Sequence, residues 1–175
     1  MSARIAVVRD LIVDSRRDDP NYLFYLAYTL AVDHDGNIYV LDRGNHRVQV
    51  FDKTGNHILT IGRDGQGPGE LAAPLSIAIA GDHVVVSDVG THRVTRWTLR
   101  GEYVDDSHVV FETGLSRIVG LADGSFVGSY KASRVSAEDV SYISISRFGA
   151  DLIESIKYAE LPFRVVRALV GNRRL

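Results

Sequence analysis

Polar residues able to bind a metal or form ion pairs recur in this sequence at a fixed spacing. They are Asp42, His46 and Arg47 and, 46 residues later (88 − 42 = 46), Asp88, His92 and Arg93. Imidazole nitrogens are common ligands of zinc and copper, and a carboxylate beside a guanidinium forms charge-assisted hydrogen bonds. The recurrence therefore allows two interpretations: a metal or ligand site built from the histidines, and a contact that stabilises each loop.

The aspartate and the arginine of each set bracket a short loop. We predict that Asp42 pairs with Arg47 and Asp88 with Arg93, or that each aspartate accepts hydrogen bonds from backbone N–H groups, so that the loop is fixed. A catalytic site is used once in a protein, whereas this arrangement is repeated. The repetition favours a structural role for both aspartates.

The sequence around these residues repeats with the same period. Residues 36–55 read GNIYVLDRGNHRVQVFDKTG and residues 82–101 read DHVVVSDVGTHRVTRWTLRG. Gly55 and Gly101 close the two stretches at turns where a positive φ is expected, and we count them as structural. A fixed period of this length indicates one small supersecondary unit that is used several times.

A third copy of the unit is weaker. It begins near Arg117, with Ser129 at the place of Asp42 and Ser133 at the place of His46, while Arg134 keeps the arginine. The step from Arg93 to Arg134 is 41 residues (134 − 93 = 41), so this copy has shorter connections.

Each unit contains four short stretches with strand-like patterning and almost no helical periodicity. Four antiparallel strands per repeat are typical of a β-propeller blade. A β-sandwich is the competing all-β fold, but it does not predict a motif at a fixed offset. We therefore predict an all-β, propeller-type chain with four-stranded antiparallel blades near residues 26–61, 75–105 and 115–157.

We predict a single domain over residues 1–175, to which both ends of the chain contribute. Residues 1–14 are expected to form the outer strand of a closing blade, and residues 161–175 could begin a further blade.

The segment from about Tyr22 to Val104 resembles the NHL-repeat, six-bladed β-propeller proteins of bacteria. The matching residues are Gly36, Asn37, Tyr39, Val40, Asp42, Asn45, Arg47, Val48, Val50, Phe51, Gly55 and the stretch GQGPGE at 65–70. The resemblance implies a ring of six blades and, for most members, a non-enzymatic binding or scaffold role. A minority are enzymes, among them lyases of peptidyl hydroxyglycine that hold zinc with blade-loop histidines.

About three blades are present, which is half of the ring that the resemblance implies. A half-ring exposes an apolar blade face and a strand edge, which proteins normally cover. Two hypotheses follow: the chain is a fragment of a larger six-bladed protein, or two copies related by a two-fold axis close the ring as a homodimer.

Equivalent loops of a propeller converge at one end of its central channel, so this end is the expected docking place for a protein segment or a small molecule. The candidate binding residues there are Arg43, His46, Arg47, His92, Arg93 and Arg134. As the alternative, His46 and His92 would bind a metal, zinc or calcium, in a lyase or hydrolase of the NHL type. Without a metal we expect no cofactor.

Other kinds of chemistry find little support. The Gly-rich segment 62–70 lacks the lysine and the following helix of a P-loop, and we interpret it as a blade connection in which Glu70 caps backbone N–H groups. No GxSxG or HExxH motif is present and the chain has no cysteine, which favours a non-enzymatic role. A net charge of −2 gives no global case for nucleic acid binding.

No apolar run approaches the roughly 20 residues that span a bilayer, and the first residues mix acids and arginines into their apolar stretch. We therefore expect no membrane contact and, by default, a cytoplasmic location. A signal upstream of Met1 would make the protein extracytoplasmic.

Overall fold

A computed structural model describes residues 18–109, 114–133 and 140–164, together with Leu11 and Val13. Over these residues the fold is all-β, with twelve strands and two single-turn 3-10 helices, Pro20–Tyr22 and Arg43–Asn45. No helix in this part of the chain is long and apolar enough to cross a membrane.

The strands form three sheets, and each sheet is an antiparallel meander of four consecutive strands. Sheet 1 contains β1 to β4, at Ala27–Val32, Ile38–Asp42, Arg47–Phe51 and His57–Ile61. Sheet 2 contains β5 to β8, at Pro74–Ala80, His83–Asp88, Arg93–Thr98 and Tyr103–His108. Sheet 3 contains β9 to β12, at Leu115–Gly120, Phe126–Ser133, Val140–Phe148 and Glu154–Arg164. The predicted all-β architecture of about three propeller blades is confirmed.

The middle sheet is buried on both faces, and its sequence shows why. In β6, Val84 and Val86 point to the core shared with sheet 1, while Val85 points to the core shared with sheet 3. A continuous apolar run is what a strand covered on both sides requires. The blades therefore stack face to face through two apolar cores.

Both cores are built mainly from strand residues, with Leu71 and Leu152 added from connections. The core between sheets 1 and 2 consists of Tyr39, Leu41, Val48, Val50, Ile61, Leu71, Ile77, Val84, Val86 and Trp97. The core between sheets 2 and 3 consists of Ala78, Ala80, Val85, Val94, Leu115, Ile118, Phe126, Tyr130, Phe148 and Leu152.

The first strand of each sheet lies against the first strand of the next, so β1, β5 and β9 line the concave side of the arc. Ser76 on β5 connects two of them, because its Oγ accepts a hydrogen bond of 3.1 Å from the backbone N–H of Ile118 on β9. This concave side is where the central channel of a propeller runs.

The two outer faces of the arc carry exposed apolar side chains. On sheet 1, Leu30 is 60% exposed and lies between Tyr28 and Val32, which are exposed as well. On sheet 3, Val119 is 64% exposed, and Ile156 is also exposed. We call these surfaces the open faces of sheets 1 and 3, and exposed apolar patches of this kind usually mark an interaction surface.

Residues 18–26, called here the first connection, cover the outer part of the open face of sheet 1. The rings of Tyr22 and Phe24 lie 5.4 and 6.0 Å from that of Phe51, which is fully buried. The Tyr22 hydroxyl also accepts a hydrogen bond of 2.9 Å from the backbone N–H of His57. The first connection is therefore packed on the sheet as an integral part of it.

The ends of the chain differ in part from the prediction. Strand β12 continues to Arg164, because β11 is also long and the two strands pair from Val140 to Phe148. Residues 161–164 therefore belong to sheet 3. The rest of the segment 161–175 and, apart from Leu11 and Val13, the predicted strand at 1–14 lie outside the described residues.

The two predicted turn glycines have the expected backbone. Gly55 and Gly101 both have a φ of +85°, a conformation that L side chains rarely adopt.

Candidate functional site

The recurrent polar residues lie at one end of the sheets, which we call the loop end. Ala27 pairs with Asp42 and Pro74 with Asp88, so β1 and β5 begin where β2 and β6 end. The hairpin loops that follow β2 and β6 and the connections between sheets are at this end.

Asp42 is completely buried, and three donors hold its carboxylate. Oδ1 accepts from the Tyr25 backbone N–H at 2.9 Å, while Oδ2 accepts from Asn45 Nδ2 at 2.7 Å and Arg47 Nε at 3.1 Å. A buried charge requires such partners, and here they include an arginine. The predicted Asp42–Arg47 ion pair is confirmed.

A second nitrogen of Arg47 binds the first connection. Its Nη2 donates to the backbone oxygens of Pro20, at 3.0 Å, and Leu23, at 2.8 Å. Asp42 and Arg47 together therefore fasten the first connection to sheet 1, one through an N–H group and the other through two carbonyl groups.

Asp88 is equally buried but is held by backbone donors. Its two oxygens accept hydrogen bonds of 2.6 to 3.3 Å from the N–H groups of Ala72, Ala73, Gly90 and Thr91. The alternative prediction, an aspartate that fixes its loop through backbone N–H groups, is the one that holds in sheet 2.

Arg93 forms its ion pair with Asp106 on β8, at 3.2 Å, and its described contacts do not include Asp88. The predicted Asp88–Arg93 pair is wrong, because backbone donors occupy Asp88 and the Asp106 carboxylate on β8 binds Arg93. Arg93 Nη2 also donates to the carbonyls of Gln66, at 2.6 Å, and Gly67, at 3.4 Å.

Arg47 and Arg93 bind backbone carbonyl groups at equivalent positions of the repeat. Arg47 binds Pro20 and Arg93 binds Gln66, and both the arginines and the carbonyls are 46 residues apart (93 − 47 = 46 and 66 − 20 = 46). The first connection is therefore the structural counterpart of residues 62–73, which we call the second connection.

Glu70 stabilises the second connection, as predicted. Its carboxylate accepts from the Gly67 backbone N–H at 2.8 Å and from Arg63 Nε at 2.9 Å. The Gly67 hydrogen bond first, and Arg63 second, lower the pKa of Glu70 below its ordinary value.

The recurrence of histidine has a backbone explanation. His46 and His92 have φ angles of +54° and +53°, in the left-handed region that histidine tolerates better than most residues. His46 Nδ1 lies 3.2 Å from the Leu71 carbonyl oxygen and 3.5 Å from the Asp64 carboxylate, so this ring contacts the second connection. His92 is exposed.

Metal binding by these histidines stays a prediction. Within the ranges that the structure describes, no three side chains of His, Asp or Glu are grouped closely enough to hold a metal ion.

The strand pairing corrects the alignment of the third unit. A bulge precedes Asp42 in its pairing with Ala27 and Asp88 in its pairing with Pro74, and the same bulge precedes Tyr130, which pairs with Leu115. Tyr130, rather than Ser129, therefore takes the place of the aspartates. Arg134, the predicted third arginine, lies outside the described residues.

Sequence reasoning missed the cavity on the concave side near the loop end. It has a volume of about 470 Å³ and is lined by residues of β1, β5, β9, β10 and β11, among them Tyr28, Leu75, Ser116, Arg117, Lys131 and Ile143. An adjoining cavity of about 400 Å³ shares several of these residues and continues along the first strands of the sheets. The only sequence signal was the pair of cations, Arg117 and Lys131, within strands.

Among the predicted binding residues that the structure describes, Arg43 lies beside this cavity. Its guanidinium lies 5.3 Å from the ring centroid of Tyr28, which lines the cavity, in a cation–π contact. Arg47 and Arg93 are instead occupied by contacts with the connections.

Comparisons with known proteins agree with this architecture. A family model described as a 6-bladed beta-propeller, DUF5128, matches residues 27–159, which is more than half of the chain. The crystal structure of a candidate exported protein from Bacteroides fragilis NCTC 9343 superposes with a TM-score of 0.66 at 17% identity, over 83% of this chain and 41% of that one. At this identity the likeness concerns the fold alone.

Two curated proteins match parts of the sequence. Protein brain tumor of Drosophila melanogaster is 32% identical over 78 residues, 43% of this chain and 8% of that protein. A probable peptidyl-alpha-hydroxyglycine alpha-amidating lyase of Caenorhabditis elegans is 31% identical over 71 residues, 38% of this chain and 20% of that protein. The chain thus spans only a small part of either relative. The family match, which agrees with the three observed blades, shows that the chain belongs to the DUF5128 family of 6-bladed beta-propellers.

Proposed function

We propose that this chain is a non-enzymatic binding or scaffold module whose ligand, a protein segment or a small molecule, docks at the loop end of the central channel. The observation that carries the proposal is the concave cavity of about 470 Å³, which combines polar and apolar side chains at that end. Its volume is in the range of ordinary ligand sites, roughly 300–1,000 Å³.

Not all of the predicted binding residues are available to a ligand. Arg47 and Arg93 each donate to two backbone carbonyls and to a carboxylate, so their side chains already hold the fold together. Arg43 remains beside the cavity, and His92 remains exposed at the same end. The docking surface then consists of Arg43 and the cavity, with His46 and His92 toward its edge.

Amide NMR with benzamide and benzoate as probes tests this proposal. Saturable shifts that concentrate on the amides of Tyr28, Leu75, Ser116 and Ser129 are expected. Shifts for both probes that scatter over the surface, or do not saturate, would contradict a docking site on the concave side.

A metal-dependent lyase is the second candidate, since the Caenorhabditis elegans relative is named as a probable lyase. In this case His46 and His92 would be zinc ligands. Titration of metal-free protein with zinc should then give stoichiometric binding that is lost in His46→Ala and His92→Ala. An absence of zinc affinity in the unsubstituted protein would overturn this candidate.

We also propose that a second copy of the chain completes the ring. Three blades per chain and two open apolar faces fit a two-fold closure, in which the open face of sheet 1 packs on that of sheet 3 of the partner. Leu30 and Val119 also line the cavity of about 400 Å³, so the closed ring would place the docking site beside the contact between the two copies. Light scattering should give a molar mass near twice 19.3 kDa. Leu30→Glu should yield monomers, whereas Val104→Glu, on the outermost strand of sheet 2, should not. A monomeric unsubstituted protein would contradict the closure.

A further inference from the structure

The concave cavity has an unusual balance of charge. Among the residues that the structure describes, its lining includes two basic side chains, Arg117 and Lys131, and no Asp or Glu. The described lining of the adjoining cavity also includes Arg117 and no acidic residue. Arg43, stacked on Tyr28, places a third cation near the rim. In a chain with a net charge of −2, Arg117 is thus a cation that no described acidic residue of the lining neutralises.

Arg117 breaks the repeat at a position that the other sheets fill with a small hydroxyl residue. Thr29, Ser76 and Arg117 are equivalent, because each is the first residue after the bulge in the inner strand of its sheet. Ser76 uses its hydroxyl to accept the Ile118 N–H. An arginine has no acceptor and cannot do the same.

The Arg117 side chain also has no described role in holding the fold. Within residues 18–109, 114–133 and 140–164, its guanidinium forms no ion pair and no hydrogen bond, in contrast to Arg47, Arg93, Arg96 and Arg147. A guanidinium presents a planar set of donors that matches a carboxylate or a phosphate group.

The rest of the lining suits a ligand with an apolar body. Tyr28, Leu75 and Ile143 offer an aromatic and two aliphatic surfaces. Ser116 and Ser129 add hydroxyl groups beside Arg117, and the two hydroxyls lie 3.3 Å apart. Polar groups that orient a ligand against an apolar wall are typical of small-molecule sites.

We propose that this cavity binds an organic anion. Its carboxylate or phosphate group would contact Arg117, with Lys131 and the two serine hydroxyls beside it, and its apolar body would pack on Tyr28, Leu75 and Ile143. This inference rests on the proposed binding function and specifies the class of ligand.

The test compares three probes that share one ring: benzoate, phenyl phosphate and neutral benzamide, each titrated at constant ionic strength and followed by amide NMR. The two anions should bind at least about ten-fold more tightly than benzamide, as expected for charge-assisted hydrogen bonds. The tighter of the two anions identifies the acid group that the site prefers.

Arg117→Gln should lower the affinity for both anions by about ten-fold and leave that for benzamide within about two-fold. Arg100→Gln is the matched control, because Arg100 is an exposed arginine in the turn at the opposite end of sheet 2. This control should bind all three probes like the unsubstituted protein. If Arg117→Gln does not fold, Arg117→Ser, which installs the residue type of Ser76, and Lys131→Gln serve instead.

Equal affinities for anions and benzamide at this cavity would overturn the inference but leave the proposed binding function standing. Equal losses in Arg117→Gln and Arg100→Gln would overturn it as well, since the effect would then be one of net charge. If no probe shifts the cavity amides, both the inference and the proposed function fail.

Discussion

Sheets 1 and 2 each use an aspartate and an arginine to attach a connection to the sheet, but the two residues make different contacts in the two sheets. In sheet 1, Asp42 and Arg47 contact each other and together hold the first connection. In sheet 2, the described partners of Asp88 are backbone N–H groups and Arg93 pairs with Asp106, yet both still hold the second connection. What the repeat preserves is therefore the attachment of a connection to its sheet.

The largest effect is expected at the aspartates. Asp88→Ala removes the acceptor of four backbone N–H groups, and we expect a loss of about 3–5 kcal/mol in the free energy of unfolding. Asp42→Ala should cost about 2–4 kcal/mol, since it leaves Arg47 without its carboxylate. Urea unfolding followed by Trp97, the single tryptophan and a core residue, measures both. A cost below about 1 kcal/mol at either site would contradict the structural role.

A double-mutant cycle in each sheet measures whether its aspartate and arginine interact directly. Asp42→Ala and Arg47→Ala should show a coupling energy of about 1 kcal/mol or more, because the two side chains are in contact. Asp88→Ala and Arg93→Ala should couple by about 0.5 kcal/mol or less, since they share a connection but no direct contact. Equal coupling in the two sheets would show that they are held in the same way after all.

Substitutions of His46 and His92 should have similar effects on stability, because both residues have a positive φ. His46→Val and His92→Val place a β-branched residue at a positive φ and should each cost about 1–2 kcal/mol. His92→Asn should be neutral within about 0.5 kcal/mol, because asparagine tolerates this backbone. Thermal unfolding of the four variants, with His46→Asn included, checks this. A large loss in His92→Asn would mean that the imidazole itself is required.

The smallest expected effect is a difference in how the stability of the two connections depends on pH. The lowered pKa of Glu70 means that its contribution is present above the pKa of an unfolded glutamate, about 4.3, and is lost as the pH falls through the lower folded value. Glu70→Gln should therefore flatten the acid limb of the stability curve, and Glu102→Gln, which replaces an exposed glutamate, should not. The first connection has Phe24 at the equivalent place (70 − 46 = 24) and cannot titrate there. An acid limb unchanged by Glu70→Gln would contradict this role.

The blades could be predicted from the sequence because the information is local. The 46-residue period, the turn glycines Gly55 and Gly101 and the apolar runs of β2 and β6 depend on neighbouring residues alone. The third unit was placed one residue out of register, at Ser129 rather than Tyr130, because its connections have different lengths and only the strand pairing reveals the bulge.

The site was less predictable for a physical reason. Arg93 binds Asp106 and the Gln66 carbonyl, which lie on two other segments. Spacing in the sequence does not indicate that these groups are preferred to Asp88. The cavity likewise joins Tyr28, Leu75 and Arg117 from three sheets, and none of them belongs to the repeated motif. Repetition therefore marks the residues that hold the fold, and we locate function in residues that depart from it.

The most direct test of this claim measures two quantities on Arg93→Gln and Arg117→Gln: the free energy of unfolding and the affinity for phenyl phosphate. Arg93→Gln should lose about 1–3 kcal/mol of stability and keep its affinity within about two-fold. Arg117→Gln should keep its stability within about 0.5 kcal/mol and lose about ten-fold in affinity. The reverse pattern, a stable Arg93→Gln that no longer binds, would show that the repeated arginine serves binding and not the fold.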